Sequence, residues 1–128
     1  MKKWSDTVSL GGSLVLKNRV VMAAMTRQRA NLADGIPNNL MAKYYEQRAG
    51  SGLLLTECSA WSPKGHGYPG AAHIYNEQQA EGWSNVTKAV HNKGGKIFLQ
   101  IYHAGRATHS KMNYDNVVEA PSPIAIQY

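Results

Sequence analysis

Three short apolar runs alternate with two segments of helical period, and no other feature of the chain restricts its fold as strongly. Arg19 to Met25 (RVVMAAM) is a near-continuous apolar run, which reads as a strand buried on both faces in a parallel sheet. Leu53 to Cys58 (LLLTEC) and Lys96 to Tyr102 (KIFLQIY) are the second and third such runs. Between the first two, Asn38 can cap a helix with apolar positions Leu40, Met41, Tyr44 and Tyr45, and Gly50 and Gly52 end it. Between the second and third, Asn76 opens a helix with Gln79 three residues on as a capping box. Its apolar positions are Ala80, Trp83, Val86 and Val90, and Gly94-Gly95 stops it. Strands joined by helices imply right-handed crossovers and a parallel sheet.

The flanking segments complete the order. Val8 to Lys17 holds two apolar stretches around Gly11-Gly12 and predicts a β-hairpin. Ser62 to Gly70 is rich in turn formers, and so long a loop at a strand end is usually functional. His103 to Tyr128 reads as a long loop.

Two architectures fit this order, a doubly wound sheet and a slice of a barrel. A dinucleotide-binding doubly wound sheet places G-x-G-x-x-G after its first strand, whereas Met25-Thr26-Arg27-Gln28 stands there. A closed (β/α)8 barrel takes ~250 residues, and this chain has 128. The barrel reading is therefore a partial one: an N-terminal hairpin and about three βα strands, with residues 1–128 as one incomplete domain.

Composition removes several classes. Apolar residues make up 43% and charged residues 17%, the range of folded globular proteins. The net charge of +6 comes from dispersed Lys and Arg with no basic stripe, so no nucleic-acid partner is expected. The longest apolar run, Val20 to Met25, is far short of a membrane span. Met1-Lys2-Lys3-Trp4-Ser5-Asp6 lacks the apolar stretch of a signal peptide, which predicts a cytoplasmic protein. Cys58 is alone and suits a reducing compartment, and His103 and His109 have no matching ligand pair, so no metal site is expected. Gly94-Gly95-Lys96 lacks the spacing of a phosphate-binding loop, and the sequon Asn85-Val86-Thr87 lies within a predicted helix.

In parallel α/β folds the ligand site gathers at the C-terminal strand ends. Those ends present Thr26, then Glu57 and Cys58, then Gln100 with Tyr102 and His103. None forms a nucleophile–base pair, and the set suits hydrogen bonding to a flat heterocycle better than acyl or phosphoryl transfer. Each residue also has a plainer reading. Thr26 can be a turn or capping hydroxyl, and Cys58 a small core hydrophobe. Gln100 inside KIFLQIY is expected to be buried, and its amide then needs either a cofactor edge or backbone as partner.

Several blocks resemble the old yellow enzyme family, the FMN-dependent ene-reductases. They are LVLKNRVVMAAMTRQRA, Leu40 to Ala49 (LMAKYYEQRA), Gly52 to Glu57 (GLLLTE), Gly67 to Gly70 (GYPG), Ile97 to Arg106 (IFLQIYHAGR) and Ala120 to Ala125 (APSPIA), in order along nearly the whole chain. The resemblance implies that Thr26 hydrogen-bonds the flavin near its carbonyl and N5 edge, with Ala24 and Met25 as neighbouring contacts. It gives Cys58 a cofactor contact, Gln100 the pyrimidine edge, and Tyr102 a place lining the substrate pocket. Ala24 stands where the family commonly has proline, Cys58 where it has glycine or alanine, and Tyr102 where it has tryptophan. The first two contacts involve backbone or close packing, while the third reshapes the pocket.

The resemblance also implies FMN as cofactor, NAD(P)H as reductant and a small activated alkene as substrate. The family's substrate-orienting histidine pair, its tyrosine proton donor and its flavin-holding arginines belong to later strands and have no counterpart in residues 1–128, so no catalytic residue is expected in this chain. The isolated chain is then expected to be inactive, with self-association or a complementing C-terminal half completing it. The competing expectations are a non-catalytic barrel remnant that binds a partner, and one half of a split enzyme.

Overall fold

The computed structural model describes residues 1–127. It opens on a hairpin, β1 (Val8–Leu10) paired antiparallel with β2 (Leu14–Leu16), Val8 opposite Leu16. Gly11 and Gly12 turn it at φ of 56° and 79°, backbone angles that a Cβ disfavours. The rest is built on a parallel sheet of β3 (Val21–Met22), β4 (Leu53–Ala60), β5 (Ala72–His73) and β6 (Ile97–Tyr102). β4 is central. β6 follows one of its edges from Leu54 to Ala60, while β3 at Leu53–Leu54 and β5 at Ser59–Ala60 share the other.

Helices α1 (Asn39–Glu46) and α2 (Glu77–His91) supply the crossovers. Their starts are set by asparagine caps, Met41 N donating to Asn38 Oδ1 (3.2 Å) and Gln79 N to Asn76 Oδ1 (2.9 Å). The expected capping box of α2 is displaced by one residue: Gln79 Oε1 accepts from Tyr75 N (2.9 Å), and its Nε2 donates to Asp34 O (2.8 Å). Met41, Tyr45, Ala49, Trp83, Val86 and Val90 pack with Leu54 and Ile97 of the sheet into one core. Leu40 and Ala80 are exposed instead, so each helix buries a narrower stripe than its apolar spacing predicts. Lys17 Nζ ties the hairpin beneath both helices, donating to Ala49 O (2.6 Å) and Gly94 O (3.4 Å), where helix dipoles favour a cation.

The first strand departs from expectation. Of residues 19–25 only Val21–Met22 join the ladder, and Val21 is 49% exposed where burial on both faces was expected. β3 is an edge strand, and beyond Met22 the edge of β4 passes to β5. β5 itself falls in the stretch left unassigned between the Ser62–Gly70 loop and the helix start at Asn76, because two residues carry no periodicity. β4 runs two residues past the expected Cys58. β6 matches its run, yet Phe98 is 51% and Ile101 63% exposed, since among the described residues no further strand or helix covers them. The accessible surface of 8108 Å² exceeds the about 6,700 Å² of a compact monomer of this mass. An open slice of a barrel accounts for the difference. No helix among the described residues is long and apolar enough to cross a membrane.

One irregularity in β4 decides which side chains reach the inner face. Leu55 pairs with Phe98 and Cys58 with Gln100, so three steps on β4 match two on β6. The extra residue is a β-bulge, bridged by Gln100 N donating to Thr56 Oγ1 (3.0 Å). The bulge shifts the alternation by one. Leu54 and Glu57 both face the helices, Leu54 in the core and Glu57 bonded to Tyr45, while Cys58 turns to the opposite, open face.

Candidate functional site

The C-terminal ends of β4 and β6 and the segment after β3 meet on that open face. Thr26 Oγ1 lies 2.9 Å from Cys58 Sγ, and Cys58 stands opposite Gln100 in the ladder. Thr26, Cys58 and Gln100 therefore form one row on one rim, with exposed Met25 and half-buried Ala24 just before Thr26. Gln100 corrects the expectation of a buried amide: its side chain is exposed and makes no hydrogen bond among the described residues. Among the described residues β6 pairs only with β4, and its inner face at Gln100 is open.

Tyr102 lies two residues further along, on the same side as Gln100 by strand alternation. Gly67 N donates to its hydroxyl (3.1 Å), and its ring stacks on Tyr68 with centroids 6.4 Å apart. Burial pushes the Tyr102 phenol pKa upward. Gly67 has no room for a side chain, because a Cβ there would lie 2.8 Å from Ala104 Cβ. The loop of residues 62–70 is thus clamped onto the end of β6 and carries a second aromatic to the rim.

Behind the rim is a cluster that sequence reasoning listed only as a strand-end carboxylate. Glu57 is almost wholly buried. Its Oε2 accepts from Tyr45 Oη (3.1 Å), its backbone N donates to the same Tyr45 Oη (2.7 Å), and its Oε1 accepts from Arg27 N (3.2 Å). Burial raises the Glu57 pKa above the usual carboxylate range and is opposed by those amide contacts; burial also raises that of Tyr45. Arg27 Nη1 donates to Tyr44 Oη (2.7 Å), and the Arg48 guanidinium lies 3.7 Å from the Tyr44 ring centroid. The available signal was a carboxylate inside an apolar run, a position that demands partners.

A second cluster was also missed. His73, at the end of β5, packs edge-on against His66 (4.5 Å) and lies 3.1 Å through Nδ1 from Tyr75 Oη. Burial, and then the neighbouring His66, push its pKa down to about 4 from the ordinary 6.5. A buried neutral base contributes stability that is complete above pH 6.5 and is lost as pH falls toward 4. Between pH 7 and pH 4 the folding equilibrium should therefore weaken on the order of a hundredfold through this residue alone. Urea midpoints at the two pH values should move apart less in His73→Gln than in the parent; equal gaps would remove His73 from the acid response. Among the described residues no three His, Cys, Asp or Glu converge as metal ligands.

Parallel strands crossed by helices on one face, with polar side chains gathered at their C-terminal ends, define a segment of an α/β barrel at its ligand-binding rim. The chain belongs to the NADH:flavin oxidoreductase / NADH oxidase family, whose profile matches residues 9–128. It is 45% identical over 119 residues to a flavin oxidoreductase of Emericella nidulans, covering 90% of this chain and 31% of that one. It is 47% identical over 95 residues to 12-oxophytodienoate reductase 7 of Oryza sativa subsp. japonica, covering 73% and 24%. Morphinone reductase superposes with a TM-score of 0.90 at 41% identity, over 95% of this chain and 32% of that one. The old yellow enzyme from Trypanosoma cruzi gives 0.88 at 34%, over 95% and 35%. The chain thus spans between about a quarter and about a third of the length of these relatives. The partial barrel is the N-terminal part of their fold, and the family's cofactor is FMN with NAD(P)H as reductant.

Proposed function

We propose that this chain forms the flavin-facing rim of an FMN-dependent NAD(P)H:alkene oxidoreductase acting on activated C=C bonds. The observation that carries this is the row of Thr26, Cys58 and Gln100 on the open inner face, with the Gln100 amide unengaged among the described residues. An amide presents one donor and one acceptor side by side, which matches the alternating donors and acceptors of the flavin's pyrimidine edge. Small residues at Ala23 and Ala24 leave room for a planar ring. When bound, FMN supplies hydride transfer, from NAD(P)H and on to an activated alkene.

This chain's residues bind and orient. Gln100 would hold the pyrimidine edge, Thr26 would hydrogen-bond the ring at its carbonyl and N5 edge with Ala24 and Met25 beside it, and Cys58, 2.9 Å from Thr26 Oγ1, would touch the ring. Tyr102, braced by Gly67 and stacked on Tyr68, walls the substrate side. The proton donor, the substrate-orienting pair and the phosphate-holding arginines come from the remaining strands, which pair with the free edge of β6 either in the same polypeptide or in a separate one. A cytoplasmic setting suits an unpaired thiol at the rim.

The test grafts the chain into morphinone reductase in place of the third it superposes on. Gln100→Ala in the graft should weaken FMN binding about two- to tenfold, the loss of one net hydrogen bond of about 0.5–1.5 kcal/mol. Thr26→Ala should weaken affinity by no more than that and in addition lower the flavin potential and slow reduction by NADH. If both variants match the parent in affinity, potential and reduction rate, the assignment fails.

A further inference from the structure

We infer that Glu57 is a positioning residue that sets the location of Thr26, acting through the backbone of Arg27 and Gln28. The inference rests on the flavin-facing reading of Thr26 given above and identifies what holds that residue in place.

The argument begins with what Glu57 does not achieve. It occupies the helix-facing side of β4, where Leu54 joins the core, and is buried against Tyr45. A carboxylate there is weak support for stability, because burying it costs more than an apolar side chain of like size. What the carboxylate can do, and an apolar group cannot, is accept amide protons. Arg27 N donates to it at 3.2 Å, and the Gln28 amide also stabilises its charge.

Gln28 has a φ of 55°, a left-handed conformation that costs a residue with a Cβ and persists only where the surroundings enforce it. Successive amides next to a left-handed residue form a concavity for an anion, and here the anion is internal. The chain makes this turn two residues after Thr26. Thr26 itself is held from the opposite side by Cys58 Sγ at 2.9 Å. Two consecutive residues of β4 therefore grip the segment from both faces of the sheet: Cys58 at the hydroxyl on the open face, Glu57 at the amides on the helix face. The bulge at Thr56–Glu57 makes this arrangement possible, and Tyr45, which both donates to and accepts from Glu57, fixes the carboxylate in it.

The test is hydrogen–deuterium exchange with mass spectrometry on the 128-residue chain, as parent, Glu57→Leu and Glu57→Gln, each with and without millimolar FMN. In Glu57→Leu the amides of residues 26–28 should exchange about tenfold faster while those of α2 and β6 keep their parent rates, the pattern of a local opening and not of global unfolding. Glu57→Gln retains an acceptor and should bring residues 26–28 back to within about threefold of the parent. FMN should slow exchange around residues 26–28 and 100 in the parent and Glu57→Gln, but not around 26–28 in Glu57→Leu.

Parent rates at 26–28 in Glu57→Leu, an equal acceleration along the whole chain, or Glu57→Gln behaving as Glu57→Leu would each overturn the inference. An absence of FMN protection in every variant would overturn the flavin reading, while the ligand-free rates still decide the role of Glu57.

Discussion

Replacing Trp83 by alanine is expected to abolish cooperative unfolding of the chain near room temperature. Trp83 is 4% exposed, its Nε1 donates to His73 O (3.2 Å), and its ring lies 6.2 Å from that of Tyr45. It thereby links α2 to β5 and α1 at once. Removing a large buried aromatic costs about 3–5 kcal/mol, against a total of about 5–15 kcal/mol for ordinary domains. A chain that leaves Phe98 and Ile101 uncovered has less in reserve. Thermal melts followed by far-ultraviolet circular dichroism should show a sharp transition for the parent, a lowered one for Trp83→Phe and none for Trp83→Ala. A melting point within about 5 °C of the parent for Trp83→Ala would show that the core is held elsewhere.

The second large effect concerns affinity. The isolated chain should bind FMN only in the millimolar range and show no alkene reduction. Thr26 and Gln100 offer hydrogen bonds worth about 0.5–1.5 kcal/mol each, and 4.1 kcal/mol corresponds to a dissociation constant of about 1 mM. Charge-assisted bonds to the phosphate are the stronger ones, and by family resemblance they come from later strands; the chain spans only 32% of morphinone reductase. Flavin fluorescence titration, followed by NADPH oxidation with an activated alkene, measures both quantities. Submicromolar binding with steady turnover would mean that copies of this chain assemble a working barrel by themselves.

Much of this was legible in the sequence because local chemistry and tertiary structure agree. Asn38 and Asn76 cap the helices they were expected to cap, and Gly11-Gly12 turns the predicted hairpin. Thr26, Cys58 and Gln100 were placed together on the rule that ligand sites lie at strand ends, and they do share one rim. The misreadings have a common physical origin. Val21 and Gln100 were expected to be buried because apolar runs in parallel sheets are covered on both faces, yet cover comes from neighbouring elements, which a run cannot report about itself. β5 is two residues long and leaves no period to detect. The Glu57 grip on Arg27 could not be read either, since strict alternation along LLLTEC would have put Cys58, and not Glu57, on the face of Leu54.

That last point bears on how the chain can change. Because of the bulge, Glu57 and Cys58 are sequence neighbours that answer to different compartments, one to the helix layer and one to the rim. Drift at position 58 can retune the rim without repacking Leu54, Tyr45 or Trp83, and adjustment of the core can proceed without touching the thiol. The length of β4 has no such freedom. Loss of a single residue between Leu55 and Cys58 would remove the bulge and restore the ordinary pleat, leaving Cys58 on the rim but taking away either Thr56, which bridges to β6, or Glu57 itself, so this strand tolerates spelling changes and forbids frame changes.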